Sequence, residues 1–284
     1  SSDVCSSDLE IRRKQFKKSK LRYRSSNPKS PKKSLGWIPF KIGNISYKSG
    51  QIKFLGKYYS LWDSYGLHAY NLRSGSFSQD SRGRWYINIV VEVIPTKSTG
   101  SSLVGVDLGF KTTATCSDGK VLEGRIYRKY EPKLAKAQRA NKKKEVKNIH
   151  AKIKNTRKDM YHKFTTELVK NNYAIYVGNV STKAMIKLSA KSTYDAAWYL
   201  FKSMLLYKSH WAGVEYEVIN EQYTTQTCSS CGVIPLSSPK GRAGLRIRRW
   251  ECSECGVEHD RDVNSALNIA ALGHGRLAGG IPFL

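Results

Sequence analysis

An α/β fold is predicted for this chain of 284 residues, on three observations. Residues 36–93 consist of short runs rich in Ile, Val, Tyr and Trp between Gly, Asn and Ser breaks, the texture of strands joined by turns. From residue 102 the pattern becomes strand, strand, helix, strand, helix, strand, the order of an α/β chain. Two Cys-x-x-Cys pairs, Cys228/Cys231 and Cys252/Cys255, then interrupt the chain ahead of a final helix.

Charge narrows the class of partner. Lys and Arg number 49 against 22 Asp and Glu, a net charge of +27 in a chain that is 40% hydrophobic and 11% aromatic. That hydrophobic content excludes a disordered basic tail. No apolar run approaches the roughly 18 residues that span a bilayer, and no charged start followed by an apolar stretch marks a secretory signal. The expectation is a cytoplasmic protein with no membrane partner, whose charge serves a polyanion, nucleic acid first.

The front of the chain is a separate matter. Ser1–Leu9 reads SSDVCSSDL, without an initiator Met, and matches the in-frame translation of a short-read sequencing adapter. Residues 1–9 are therefore expected to be an artefact, Cys5 to belong to no site, and the natural N-terminus to be missing. Setting Asp3 and Asp8 aside raises the net charge by two. Residues 10–34, ending PKSPKKS, read as a basic loop.

The elements follow in order. Strands are expected over Trp37–Phe40, Asn44–Tyr47, Gln51–Phe54, Tyr65–Leu72 and Arg84–Val93. Basic and aromatic residues interleave here, as in KFLGKYYSLW, which suits a small barrel that stacks bases and holds phosphates. For any single residue, a core ring or a solvated lysine accounts equally well. After the linker PTKSTGSS come strands over Ser102–Asp107 and Thr112–Ser117, then a turn at Asp118-Gly119 before Val121. A long basic helix is expected over Glu131–Asn172, with Ile149, Ile153, Met160, Phe164 and Leu168 on one face. Acids are scarce in it, so phosphates suit its cations better than intrahelical pairs do. A strand over Tyr173–Val177, a helix over Thr193–Ala212 and a strand over Val214–Ile219 complete the series.

The cysteines carry the strongest signal. Twenty residues separate the two pairs, and each pair is followed by a glycine, Gly232 or Gly256, that lets the backbone curl around one ion. Four thiolates at this spacing predict a closed, structural Zn²⁺ site. Disulfides fit poorly in a chain without a secretion signal. Cys116 reads as a buried strand residue. The intervening segment PKGRAGLRIRRW either touches nucleic acid or is a solvated loop.

Two carboxylates stand where chemistry is possible. Asp107 ends a buried strand in LVGVDLGF, and Asp262 opens the last helix in HDRDVNSALNIA. Taken alone, each has a structural reading, as a turn former or a helix cap. Held on neighbouring elements, they can bind divalent metals for phosphodiester hydrolysis, which normally requires a third carboxylate.

Over about residues 36–280 the chain resembles the TnpB family of transposon-encoded RNA-guided nucleases. The resemblance rests on GVDLGFKTTAT, the basic stretch from YEPKLAKAQR to RKDMYHKFTTELV, the half-site TCSSCG, and CSECGVEHDRDVNSALNI. It implies a partial wedge-type β barrel over 10–100 and an RNase H-like RuvC domain over 101–225 that includes basic helices at 128–172. A zinc ribbon over 226–257 and a RuvC C-terminal helix and tail over 258–284 would follow. It also implies Mg²⁺ at the catalytic carboxylates, zinc at Cys228, Cys231, Cys252 and Cys255, a guide RNA from the transposon end, and target DNA. Asp107 would be the first catalytic acid and Asp262 the last, with Asp260 orienting the loop before Asp262.

One departure stands out. Where the family carries a catalytic Glu at the end of the strand after the basic helices, this chain has Gly178, in YAIYVGNV. The expected replacement is Glu221, at the end of the next strand in YEVINEQY. In the RNase H-like sheet that the resemblance implies, that strand would lie parallel and adjacent at about 4.8 Å, within reach of a Glu side chain leaning over a glycine. Glu217 and Glu215 lie further from the strand end, and a surface Glu before the cysteines is the plain alternative. The primary reading is thus an RNA-guided DNA endonuclease with Asp107, Glu221 and Asp262 as magnesium ligands. The alternatives are a nuclease-dead, RNA-guided DNA-binding repressor, a decaying gene, and a transposase that joins DNA ends.

Overall fold

The computed structural model describes residues 36–279 apart from Ser64 and Leu245; the expectations for residues 1–9, Cys5 among them, and for 10–34 lie outside the described residues. The chain divides into two compact units, one ending at Ile94 and the other beginning at Pro95.

The first unit holds β1 (Trp37–Phe40), β2 (Ile45–Lys48), β3 (Gln51–Phe54), β4 (Lys57–Ser60), β5 (Leu72–Gln79) and β6 (Trp85–Val91). They form two three-stranded antiparallel sheets, ordered β1-β5-β6 and β2-β3-β4. Phe40, Phe54 and Phe77 meet with ring centroids 5.0–6.2 Å apart and supply the apolar contact between the sheets. The strand expected over Tyr65–Leu72 is absent. The Asp63 carboxylate accepts the N–H groups of Tyr65, Gly66 and Leu67 and the Tyr47 hydroxyl, which curls the segment into a short 3₁₀ turn. The strand begins three residues beyond the end of that turn, at Leu72. Trp62, Tyr65, Tyr70, Trp85 and Tyr86 line a concavity of about 860 Å³, and Trp62 is 93% exposed.

The second unit is built on a five-stranded sheet of β7 (Ser102–Leu108), β8 (Thr112–Cys116), β9 (Val121–Glu123), β10 (Asn172–Gly178) and β11 (Glu215–Ile219). Its order is β11-β10-β7-β8-β9, with β7, β8 and β9 antiparallel in turn and β10 and β11 parallel to β7. The helices are α1 (Ile126–Arg139), α2 (Lys143–Asn171), α3 (Thr182–Ala196), α4 (Trp198–Ala212), the single turn α5 (Gly241–Gly244) and α6 (Arg261–Gly279). A short hairpin, β12 (Arg249–Glu251) with β13 (Glu258–Asp260), precedes α6.

Strand alternation sorts the core into two layers. Val104, Val106, Ile175 and Val177 face Tyr161 and Leu168 of α2 and Trp198, Phe201 and Leu205 of α4. Ala174, Tyr176 and Ile219 face the other way, against Ile269 of α6. A methyl group at Gly105 would strike the Ala266 carbonyl and the Ala270 nitrogen, so α6 rests directly on the central strand.

The single long basic helix is in fact two. The chain turns at Ala140–Lys142, where Asn141 takes a φ of 53°, and α1 folds back on α2 over Ile126, Leu134, Ala137, Ile149 and Ile153. The helix expected over Thr193–Ala212 starts only at Trp198, because Ala197, at φ 45°, separates it from α3, which the sequence pattern did not reveal. At this corner the buried Asp195 accepts the Tyr127 N–H at 2.8 Å and the Arg157 guanidinium at 2.7 Å, tying α1, α2 and α3 together. Among the described residues no helix is long and apolar enough to cross a membrane.

Truncating one partner of a buried ion pair strands the other charge. Asp195→Ala is therefore expected to lower unfolding free energy by about 3 kcal/mol, read from the urea midpoint at an unchanged m-value.

Candidate metal centres

Strands β7, β10 and β11 run parallel, so their C-terminal ends share one edge of the sheet. Asp107 is the penultimate residue of β7. Gly178 ends β10 beside Ile219 of β11, and Glu221 follows two residues later. A methyl group at Gly178 would collide with Oε2 of Glu221, and its next neighbour would be Cδ1 of Ile269 at 3.3 Å. The Glu221 carboxylate thus fills the volume that a side chain at 178 would need. The Glu221 N–H donates to Oδ1 of Asn179 at 3.4 Å, and the Val180 N–H donates to the Glu221 carboxylate. Burial pushes the Glu221 pKa up, and Lys202 on α4 opposes that shift.

Asp262 lies in the first turn of α6. Oδ1 of Asp260 accepts the N–H groups of Asp262 and Val263 at 3.0 and 3.1 Å, capping the helix. Two arginines claim the Asp262 carboxylate. Arg248 Nη1 donates to both oxygens at 3.0 and 2.7 Å, and Arg261 donates to Oδ1 through Nε at 3.1 Å and Nη2 at 2.9 Å.

Hydrogen bonds from α6 organise this edge. Ser265 donates to Oδ1 of Asp107 at 2.8 Å and lies 3.0 Å from the Thr224 hydroxyl, which donates to the Glu221 carbonyl at 2.8 Å. Asn264 and Asn268 both donate to the Thr224 and Thr227 carbonyls, pinning the segment that enters the first cysteine pair. Asp107, Glu221 and Asp262 line one pocket of about 610 Å³, together with Lys111, Arg125, Arg248 and Arg261. Burial pushes Asp107 up to about 8; the Ser265 hydrogen bond resists this, and the negative charges of Asp262 and Glu221 add to it. Among the described residues only the cysteine cluster brings three or more ligand atoms within 4.8 Å of one another, so the carboxylates share a pocket without closing to that distance. Glu215 and Glu217 sit within β11 and line no part of it.

The cysteines do converge. All four Sγ atoms lie within 4.8 Å of one another, with Cys228–Cys255 at 3.7 Å and Cys231–Cys252 at 3.8 Å, and none is in a disulfide. A tetrahedron with Zn–S bonds of about 2.3 Å has edges of about 3.75 Å, so these spacings fit that ion. Each pair sits in the same backbone curl. Cys228 N–H donates to Val233 and Gly232 N–H to Cys228, while Cys252 N–H donates to Val257 and Gly256 N–H to Cys252. His259 Nε2 lies 3.1 Å from the Cys228 sulfur, and its ring packs on Trp250 at 4.8 Å.

Sequence reasoning missed the cations of the carboxylate pocket. Arg248 falls in PKGRAGLRIRRW, a segment read as a nucleic-acid contact or a solvated loop, and here it meets Asp262. Only the adjacency of Arg261 to Asp262 in HDRD offered a clue.

Two family models match successive stretches of the chain. Residues 86–189 match the family described as "Probable transposase" (OrfB_IS605), and residues 198–269 match "Cas12f1-like, TNB domain". A "Putative RNA-guided DNA endonuclease" of Streptomyces pristinaespiralis is 36% identical over 214 residues, covering 69% of this chain and 52% of the relative. The "Putative RNA-guided DNA endonuclease InsQ" of Escherichia coli K12 is 32% identical over 232 residues, covering 70% of this chain and 56% of the relative. The solved "Cas12f1-sgRNA-target DNA complex" is similar at a TM-score of 0.47 and 16% identity, over 88% of this chain and 68% of that one. A transposase-type region followed by a cysteine-bearing TNB region defines the class. The chain belongs to the TnpB family, and it spans about half the length of the curated relatives it matches.

Two outcomes follow for the isolated chain. Because the folded pKa of Asp107 exceeds its ordinary value, charging it opposes folding. Its contribution is fully present below about pH 4 and is lost as the pH rises to about 8. In divalent-free buffer Asp107→Asn should therefore gain on the parent between pH 5 and pH 8, reaching a Tm advantage of roughly 2–6 °C by calorimetry. Metal analysis should find one zinc per chain, and stripping it with a strong chelator should lower Tm by about 10 °C or more.

Proposed function

We propose that the chain is the nuclease part of an RNA-guided DNA endonuclease that hydrolyses phosphodiesters at Asp107, Glu221 and Asp262. The observation that carries this reading is the Glu221 carboxylate lying over Gly178, where the family's usual acid would stand. Three strand and helix ends then bring hard oxygen donors to one pocket, the donor type that Mg²⁺ prefers. Two such ions, when bound, would supply an activated water and stabilise the leaving oxygen. The chain's own residues would do the rest. Ser265 and Thr224 orient Asp107 and the Glu221 backbone, Asp260 sets the turn that presents Asp262, and Lys111, Arg125, Arg248 and Arg261 supply positive charge to a DNA strand.

The sheet order β11-β10-β7-β8-β9, three antiparallel strands followed by two parallel ones, supports an RNase H-like RuvC reading of the second unit. The four cysteines would hold zinc as a closed structural site before the last helix. The exposed faces of α1 and α2 are lysine-rich with few acids, which suits the phosphates of a guide–target duplex. The aromatic concavity of the first unit suits a wedge-type barrel fragment that stacks nucleic-acid bases. The transposon-end origin of the guide belongs to this same proposal.

A second reading, guided binding without cleavage, is favoured by one observation: both Asp262 oxygens are engaged by arginines. The experiment compares cleavage and binding of labelled target DNA by the chain with its transposon-end guide RNA in Mg²⁺. Glu221→Gln is expected to lose about a hundredfold or more in cleavage while keeping guided binding. Gly178→Ala, which displaces the Glu221 carboxylate and asks Cδ1 of Ile269 to give by a few tenths of an ångström, both ends of flexible side chains, should fold normally and lose cleavage as well. Gly178→Glu combined with Glu221→Gly should recover much of it. Tight guided binding by the parent with no cleavage would establish the second reading instead.

A further inference from the structure

Two guanidiniums on one carboxylate leave a net positive charge, and the two arginines are held very differently. The Arg261 side chain is 13% exposed, and its Nη1 also donates to the Gly244 carbonyl at 3.3 Å, so it is built into the α6 corner. Arg248 stands on the segment between the cysteine pairs. Its main chain is fixed, since its carbonyl accepts the Arg261 N–H at 2.7 Å and the next residue pairs with Asp260 in the hairpin. Its side chain is 49% exposed, and among the described residues its hydrogen bonds run from Nη1 to Asp262. Arg248 lines the pocket that also holds Asp107, Glu221, Lys111 and Arg125.

Resting on the carboxylate site proposed above, we propose that Arg248 is a phosphate-binding residue parked on Asp262. A DNA phosphate entering the pocket takes the guanidinium, and Asp262 is thereby released to a divalent ion. The chemistry favours the exchange. A divalent ion approaching Asp262 meets two positive charges in the parked state and one after release. A phosphodiester offers the Arg248 fork two oxygens, the bidentate partner that arginine matches best. Phosphate and metal ion therefore bind cooperatively through one side chain, and by linkage each raises the affinity of the other. Arg248 reports the presence of substrate from the cysteine-bearing segment, so that segment takes part in the site and does more than brace α6.

The test titrates the full zinc-loaded chain with Mn²⁺, with and without an oligo(dT) strand, and subtracts the same titration of Asp262→Asn. Arg248→Ala is expected to bind Mn²⁺ about fivefold more tightly than the parent without DNA. Oligo(dT) is expected to tighten Mn²⁺ binding to the parent clearly more than to Arg248→Ala. Arg248→Gln serves as a second variant, with folding checked by circular dichroism. Arg125→Ala removes a cation from the same pocket without touching a hydrogen bond to Asp262, and its change should be much smaller. An unchanged or weaker Mn²⁺ affinity in Arg248→Ala, or equal gains in Arg248→Ala and Arg125→Ala, overturns the parking role and leaves the carboxylate site standing. Mn²⁺ binding that is independent of Asp262 in every variant overturns both.

Discussion

The direct seat of the last helix on the central strand is the contact on which the rest depends. At Gly105 there is no side chain to hold α6 away from β7, and the Ala266 and Ala270 backbone fills that space. This close approach brings Ser265 within hydrogen-bonding distance of Asp107, and it lets Asn264 and Asn268 reach the turn that leads into the cysteines. A larger residue at 105 would lift the helix, and with it the carboxylate edge and the stem of the cysteine-bearing insert. Packing and site geometry are here the same constraint.

The second organising feature is electrostatic. A strongly basic chain gathers three of its scarce acids in one pocket and surrounds them with lysine and arginine. Burial and mutual repulsion push Asp107 toward its protonated form, while Asp262 is neutralised by two guanidiniums. Each carboxylate offsets its charge in a different way: Asp107 by a raised pKa, Asp262 by two arginines, Glu221 by a backbone N–H and a nearby lysine.

The differences between sequence expectation and structure are local, and their causes are specific. The strand foreseen over Tyr65–Leu72 fails because one side chain, Asp63, takes up three successive N–H groups that a ladder would have used. The helix breaks at Asn141 and Ala197 involve residues in the left-handed region without a glycine or proline to announce them. At Ala197 the turn is secured by tertiary contacts, including Asp195 on Arg157 of a distant helix and the Tyr161 hydroxyl on the Ala196 carbonyl at 2.6 Å. Pattern reading is blind to such bonds because both partners look ordinary in isolation.

What the sequence determined by itself is what depends on spacing and residue type. The paired cysteines, the two-texture chain, the acids at a strand end and a helix start, and the basic helices all follow from local pattern. The parallel neighbour relation of β10 and β11 was expected only through the family resemblance, and the structure places the two strands side by side. Tertiary structure alone decided which cations face those acids. Arg248 and Asp262 are fourteen residues apart, and a hairpin between them, held by the cysteine curls, turns that separation into a 2.7 Å contact. Charge pairing across a fold depends on where chain reversals place the side chains, and one-dimensional spacing does not encode that.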